Sequence, residues 1–159
     1  MQVKSRHHLR ADAVDDLETA LAEQLGVDLD ADTYEKVELE DSAFDLVLVD
    51  GELAVGYLED EPFLTVRGAN EYEPSRRIVT VDAGAISFVS NGADVMRPGI
   101  TEATDDIEAG DLVVIAEETH GKILAIGRAR TSGDDMAGEE GKVVDSIHHV
   151  GDELYEFSV

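Results

Sequence analysis

The sequence predicts a small α+β unit followed by a small mixed β-barrel that carries short helices. Three observations carry this reading. An amphipathic stripe over residues 11–25 is followed by strand-like segments as far as Val66. A stretch of turn composition, RGANEYEPS at residues 67–75, then interrupts the pattern. Beyond it, short apolar segments separated by closely spaced turns accompany a single helix. The chain has 159 residues, enough for one ordinary domain or two small ones. The turn-rich stretch sets the expected domains at residues 1–74 and 75–159.

In the first unit, Val14, Leu17, Leu21 and Leu25 fall on one helical stripe, and Gly26 supplies a C-terminal stop. Asp12, Asp15 and Asp16 suit the positive end of the helix dipole. Tyr34, Val37 and Leu39 begin a strand region, and FDLVLV at residues 44–49 continues it. Asp50-Gly51 then marks a hairpin into ELAVGYL, because a type I′ turn needs positive φ at both central residues. A further strand is expected at residues 63–66.

In the second unit, residues 78–81 form a short strand, and Asp82 caps a helix over residues 83–90 with Ile86 and Val89 facing inward. Gly92 stops that helix, Val95-Met96 makes a brief strand, and Pro98-Gly99 ends it. Strands follow at residues 112–116, 123–129 and 143–149. Gly151-Asp152 turns the chain into a last apolar segment at residues 154–157.

Composition narrows the function classes. With no Cys, disulfide frameworks, thiol nucleophiles and Cys-based zinc sites are excluded. The first residues contain no apolar signal core and no later run is long enough to span a bilayer, so a soluble, cytoplasmic protein without membrane partners is expected. The formal net charge is -25, with 37 acids against 12 Lys and Arg. The excess is spread along the chain, -14 over residues 1–62 (18 acids, 4 bases) and -11 over residues 63–159 (19 acids, 8 bases). Pervasive acid with little Lys suits a halophilic protein, because at 1 M salt the Debye length is only about 3 Å, and the alternative is a mesophilic acidic protein that avoids nucleic acid. In such salt the counterion-release drive for nucleic-acid binding has largely vanished. Binding then rests on shape, stacking, backbone hydrogen bonds and a few arginines.

Chemistry concentrates in one stretch. After the helix stop, Gly92 and Ala93 carry almost no side chain, so a ligand backbone could approach closely. The main-chain groups of Ala93, Asp94, Val95 and Met96 and the guanidinium of Arg97 could meet phosphates or base edges. The alternative is that Gly92 is only a cap and Pro98-Gly99 only a turn.

The segment VDAGAISFVSNGADVMRPGI resembles the opening helix and loop of PUA domains, the module named after pseudouridine synthases and archaeosine transglycosylases. The resemblance continues in order through Gly110-Asp111, LVVIA, ILAIG, Met136, GKVV and IHHVGD, covering about half of the chain. The N-terminal α+β unit makes the chain similar to the group of the malignant T-cell amplified sequence protein, the N-terminal part of ligatin and their archaeal relatives. Those proteins place a pre-PUA domain directly before the PUA barrel and have no catalytic domain. The resemblance implies a non-catalytic RNA-binding protein without cofactor. Its targets would be tRNA or rRNA, acting in translation on the small ribosomal subunit, with a translation factor or the ribosomal subunit as further partners.

Carried over by position, the RNA face comprises Gly92, Ala93, Asp94, Val95, Met96, Arg97, Pro98 and Gly99. Ile147, His148 and His149 close the groove beside it. Asp94 departs from a phosphate-binding surface and would have to accept from a base amino group or a ribose hydroxyl. Two other readings stay open: a protein-docking module of a translation complex, and a targeting subunit of an RNA-modification enzyme.

Arg76-Arg77 and Arg128/Arg130 are dense basic spots and form a second set of RNA-binding candidates. Each could instead pair with surrounding acids. His7-His8 and His148-His149 would point to opposite faces of a strand, so neither pair is expected to chelate a metal. No P-loop, GxGxxG or Ser-His-Asp pattern stands out.

Overall fold

The computed structural model describes every residue from Met1 to Val159. The chain divides into two compact units, Met1–Glu73 together with Phe157–Val159, and Pro74–Glu156.

The first unit is an antiparallel five-stranded meander in the order β1-β2-β3-β4-β5. Its strands are β1 (Gln2–His8), β2 (Tyr34–Glu40), β3 (Phe44–Val49), β4 (Glu52–Leu58) and β5 (Glu61–Leu64). The predicted amphipathic helix is α1 (Ala11–Leu25), which buries Leu17, Leu21 and Leu25. Gly26 ends it in the left-handed conformation, donating its N–H to the Ala22 carbonyl. The hairpin between β3 and β4 turns at Asp50 and Gly51, with φ of 50° and 86°. Both are positive, as a type I′ turn requires.

Three local expectations are corrected. Residues 67–75 are not simply a turn, because α2 (Val66–Tyr72) occupies most of them. Thr65 is its N-cap rather than part of a strand: its hydroxyl accepts from the Gly68 N–H at 3.0 Å and donates to the Leu53 carbonyl at 3.0 Å. The segment near residue 155 is a helical turn, α4 (Glu153–Glu156), and not a strand, because the Asp152 carboxylate caps the Tyr155 N–H at 2.8 Å. The N-terminal residues, with His7 and His8 on a strand as expected, form the edge strand β1.

The second unit is a six-stranded mixed sheet in the order β7-β11-β10-β9-β6-β8. Along the chain come β6 (Ile78–Val81), α3 (Ile86–Ser90), β7 (Val95–Met96), β8 (Ile100–Ala103), β9 (Leu112–Glu117), β10 (Ile123–Ala129) and β11 (Lys142–His149). β6 runs parallel to β9, and the other pairings are antiparallel. The two outermost strands of this sheet, β7 and β8, are joined in sequence only by the 3-10 turn Arg97–Gly99. One short turn thus bridges the two edges, and the sheet curls into a nearly closed barrel, which leaves little open edge. The barrel core contains Val79, Val81, Val113, Ile115, Ala125 and Val144, with Val89 of α3 and Met136 closing it.

Candidate nucleic-acid interface

The site begins where β6 ends. The Asp82 carboxylate accepts from the Ala85 N–H at 3.0 Å and so starts the 3-10 turn Ala83–Ala85. That turn continues as α3, so the predicted single helix is a 3-10 turn followed by one α-helical turn. The Asp82 N–H donates to the Gly99 carbonyl at 2.9 Å, which ties the start of the helix to the turn after β7. Val89 anchors α3 in the core and Ile86 is half-buried. With both of these turned inward, Phe88 faces outward and is 67% exposed.

Gly92 closes α3 with φ of 92°, its N–H donating to the Val89 carbonyl at 3.0 Å, while the Ala93 N–H donates to the Phe88 carbonyl at 3.0 Å. A Cβ at Gly92 would sit 2.8 Å from His149 Nε2, so position 92 is constrained by both conformation and space. The His149 ring packs beneath this loop with Nδ1 3.0 Å from the Ser90 carbonyl oxygen.

Between α3 and the stretch through β7 lies an apolar groove of about 450 Å³. Ala85, Phe88, Val89, Ala93, Val95, Met96 and Pro98 supply most of its wall, with Gly84, Gly99, Asp82 and Asp94 completing it. Met96 is 47% exposed, so Phe88 and Met96 are two large apolar side chains left open to solvent at one groove. Exposed apolar side chains gathered at one groove are a feature that binding surfaces share.

The charged members of the expected face are already engaged. Asp94 Oδ1 accepts from the Ser146 N–H at 2.7 Å, and Oδ2 lies 3.0 Å from Lys142 Nζ. The Ser146 N–H bond and the Lys142 ammonium hold the Asp94 carboxyl below the usual range. Asp94 therefore fastens the loop to β11. Arg97 donates from Nε to the Asp135 carbonyl at 3.0 Å and from Nη1 to the Glu140 carbonyl at 3.0 Å. Its Nη2 meets the Asp135 carboxylate at 3.1 Å, and the side chain is only 25% exposed. A Cβ at Gly141 would come 2.7 Å from Nη1, so the guanidinium is closely enclosed by residues 135–141.

Ala93, Asp94, Val95, Met96, Pro98 and Gly99 line the groove, whereas Gly92 and Arg97 do not. Ile147, His148 and His149 do not line it. His148 is fully buried, with Nδ1 2.9 Å from the Asp152 carboxylate, and burial pushes its pKa down despite that partner. Phe88, Ala85 and Gly84 were absent from the expected face. The signal for Phe88 was present in the sequence, since an aromatic residue adjacent to Val89 and two from Ile86 cannot share their inward stripe.

Three of the four arginines in the basic doublets lie beside an acid, and Arg128 meets a backbone carbonyl. Arg76 Nε donates to Asp106 at 3.0 Å, and Arg77 lies 3.5 Å from Asp111. Arg128 donates to the Gly110 carbonyl at 2.8 Å, and Arg130 lies 3.7 Å from Asp145.

Comparison with known proteins agrees with this geometry. The PUA domain family matches residues 77–151. Translation machinery-associated protein 20 of Saccharomyces cerevisiae is 35% identical over 132 residues, 79% of this chain and 72% of the yeast protein. The chain belongs to this PUA-domain family. An uncharacterised protein of Methanocaldococcus jannaschii is 36% identical over 115 residues, covering 72% of this chain and 71% of that protein. A malignant T-cell-amplified sequence protein of Xenopus laevis is 31% identical over 116 residues, 70% of this chain and 64% of that one. The crystal structure of a hypothetical protein from Pyrococcus horikoshii superposes with a TM-score of 0.87 at 31% identity, covering 96% of this chain and 98% of that one. PUA membership of the second unit and its likeness to the malignant T-cell-amplified sequence group thus hold as the motifs implied. No helix is long and apolar enough to cross a membrane.

Proposed function

We propose that this chain is a non-catalytic, cytoplasmic RNA-binding protein of the translation machinery. In this reading the groove between α3 and β7 receives unpaired nucleotides of a structured RNA, either tRNA or rRNA. The observation that carries it is the exposure of Phe88 and Met96, which both line one apolar groove in a PUA unit. Bases stack on aromatic side chains irrespective of sequence, and each such stack is worth about 1–3 kcal/mol. Arg97, Asp94 and Lys142 are held by one another's neighbourhoods, so the groove is suited to bases and ribose more than to phosphate. That division fits a protein of net charge -25, which cannot depend on bulk attraction for RNA.

Association with translation is supported by the relative from yeast, whose name places it with the translation machinery. Crosslinking in native salt tests the proposal. Peptides containing Phe88 or Met96 are expected to carry the crosslinked nucleotide, and the attached RNA to be tRNA or rRNA. Crosslinks confined to other parts of the chain, or no recovered RNA, count against it.

A further inference from the structure

The groove lacks an unengaged cation, so phosphate contacts must come from elsewhere on the chain. Strand β1 supplies them in pattern and in placement. Residues 4–10, KSRHHLR, hold Lys4, Arg6 and Arg10 together with His7 and His8, and no Asp or Glu occurs before Asp12. Three of the chain's 12 Lys and Arg and two of its five His thus fall within seven residues of a strongly acidic protein.

The strand is at the edge of its sheet, pairing only with β2, so its other side presents unpaired backbone N–H groups. Every residue of β1 except Ser5 is exposed, and no alternation of buried and open positions exists along it. The register with β2 shifts between Val3 and Ser5, which leaves Lys4 outside the ladder at a bulge. His7 stands opposite Lys36, whose ammonium lies 3.8 Å from the Asp45 carboxylate, and His8 stands opposite Glu35.

Acids adjoin the strand, and their arrangement leaves charge available. Glu35 is satisfied by Arg6 through Nε at 2.6 Å and Nη2 at 3.2 Å, leaving Nη1 outside the pair. Arg10 and Asp12 are 3.5 Å apart with side chains 86% and 72% exposed, a pair that solvent weakens and a phosphate can displace. Glu38 and Glu40 face Ser5 and Gln2, so the positive stretch is strongest from Arg6 to Arg10. A lone edge lysine is sufficient to discourage strand pairing. Two arginines and two histidines beyond it point to a ligand of opposite charge.

We infer that β1 and Arg10, just before α1, form a second RNA-contacting surface, which holds phosphates through Lys4, Arg6, His7, His8, Arg10 and the open backbone N–H groups. Backbone amides and Lys or Arg together are the usual phosphate-positioning set. The inference rests on the RNA-binding reading of the groove, and the two separate in salt dependence. Phosphate contacts steepen the dependence of affinity on salt, whereas stacking does not.

The test is a KCl titration of binding to a short unstructured RNA. It compares the full chain with a Lys4→Gln/His7→Gln/Arg10→Gln variant, which keeps the Arg6–Glu35 pair, and with Phe88→Ala. The triple variant is expected to bind about tenfold more weakly in the lowest salt and to flatten the log–log slope by about 1.5. Phe88→Ala should weaken binding with the slope retained. If the triple variant melts at a lower temperature, Lys4→Arg/His7→Lys/Arg10→Lys, which keeps the charge, must bind as tightly as wild type. A triple variant with wild-type affinity and slope overturns the inference, and the groove reading stands if Phe88→Ala still weakens binding. Loss of binding to a poly-glutamate peptide with RNA binding unchanged reassigns β1 to an acidic protein partner and also overturns it. Absence of RNA binding by wild type overturns both readings.

Discussion

The Asp94 carboxylate lies 3.0 Å from the Lys142 ammonium and accepts the Ser146 N–H at 2.7 Å, pinning the loop after α3 to strand β11. This gives the acid in the loop after α3 a supporting duty. Replacing Asp94 with Ala removes a charge-assisted bond and leaves Lys142 without that partner. A loss of about 1.5–3 kcal/mol is expected in urea unfolding. Asp94→Asn, which keeps an acceptor, should lose less.

Acid should unfold the second unit in two stages. Burial lowers the pKa of His148, so the folded state prefers the neutral ring. Its contribution is complete above the unfolded value of about 6.5 and falls as pH drops below it. Asp94 is depressed by its hydrogen bonds, so its contribution is complete above about pH 4 and falls below that. Stability measured from neutral pH downward should show both declines. His148→Phe should flatten the upper one and leave the lower.

Arg97→Ala is expected to free residues 135–141 before it affects any ligand. The guanidinium joins two backbone carbonyls and the Asp135 carboxylate, and Lys cannot reproduce that fork. Hydrogen exchange at Asp135 and Met136, whose amides donate to the Ser132 and Gly133 carbonyls, should accelerate in Arg97→Ala and nearly as much in Arg97→Lys. Unchanged protection in both would mean that Arg97 does not hold this segment.

Gly92→Ala combines positive φ with a Cβ only 2.8 Å from His149 Nε2. The ring can shift but the backbone cannot relax cheaply, so a loss of about 1–2 kcal/mol is expected. Thermal unfolding alongside a Gly110→Ala control, where φ is also positive but the Cβ meets nothing within 4 Å, separates the two causes.

Much of this architecture was legible because local chemistry agreed with the fold. The Leu17, Leu21 and Leu25 stripe, the Asp50-Gly51 hairpin and the Gly92 stop each need only near neighbours in sequence. Helix α2 was hidden because Gly68 argues for a turn, yet its N–H bonds to the Thr65 cap. Strand β1 was legible only in part, since exposure of nearly every residue erases the alternation that marks a strand. In the site, the position of the loop could be read, but the engagement of its charges could not. Arg97 meets partners 38 and 43 residues away, and Asp94 meets one 52 residues away. Such pairings follow from barrel closure rather than from any motif. Phe88 was readable as an apolar residue off the inward stripe, and its meaning depended on finding Met96 at the same groove.

The central claim is that the groove between α3 and β7 binds RNA through exposed apolar side chains, and Phe88→Ala tests it most directly. Phe88 is 67% exposed, so its truncation should change stability by no more than about 0.5 kcal/mol. Affinity for tRNA in molar KCl, measured for wild type and this variant, should fall about tenfold or more, the equivalent of one lost stacking contact. Equal affinity of the two proteins, with wild type binding measurably, would contradict the account.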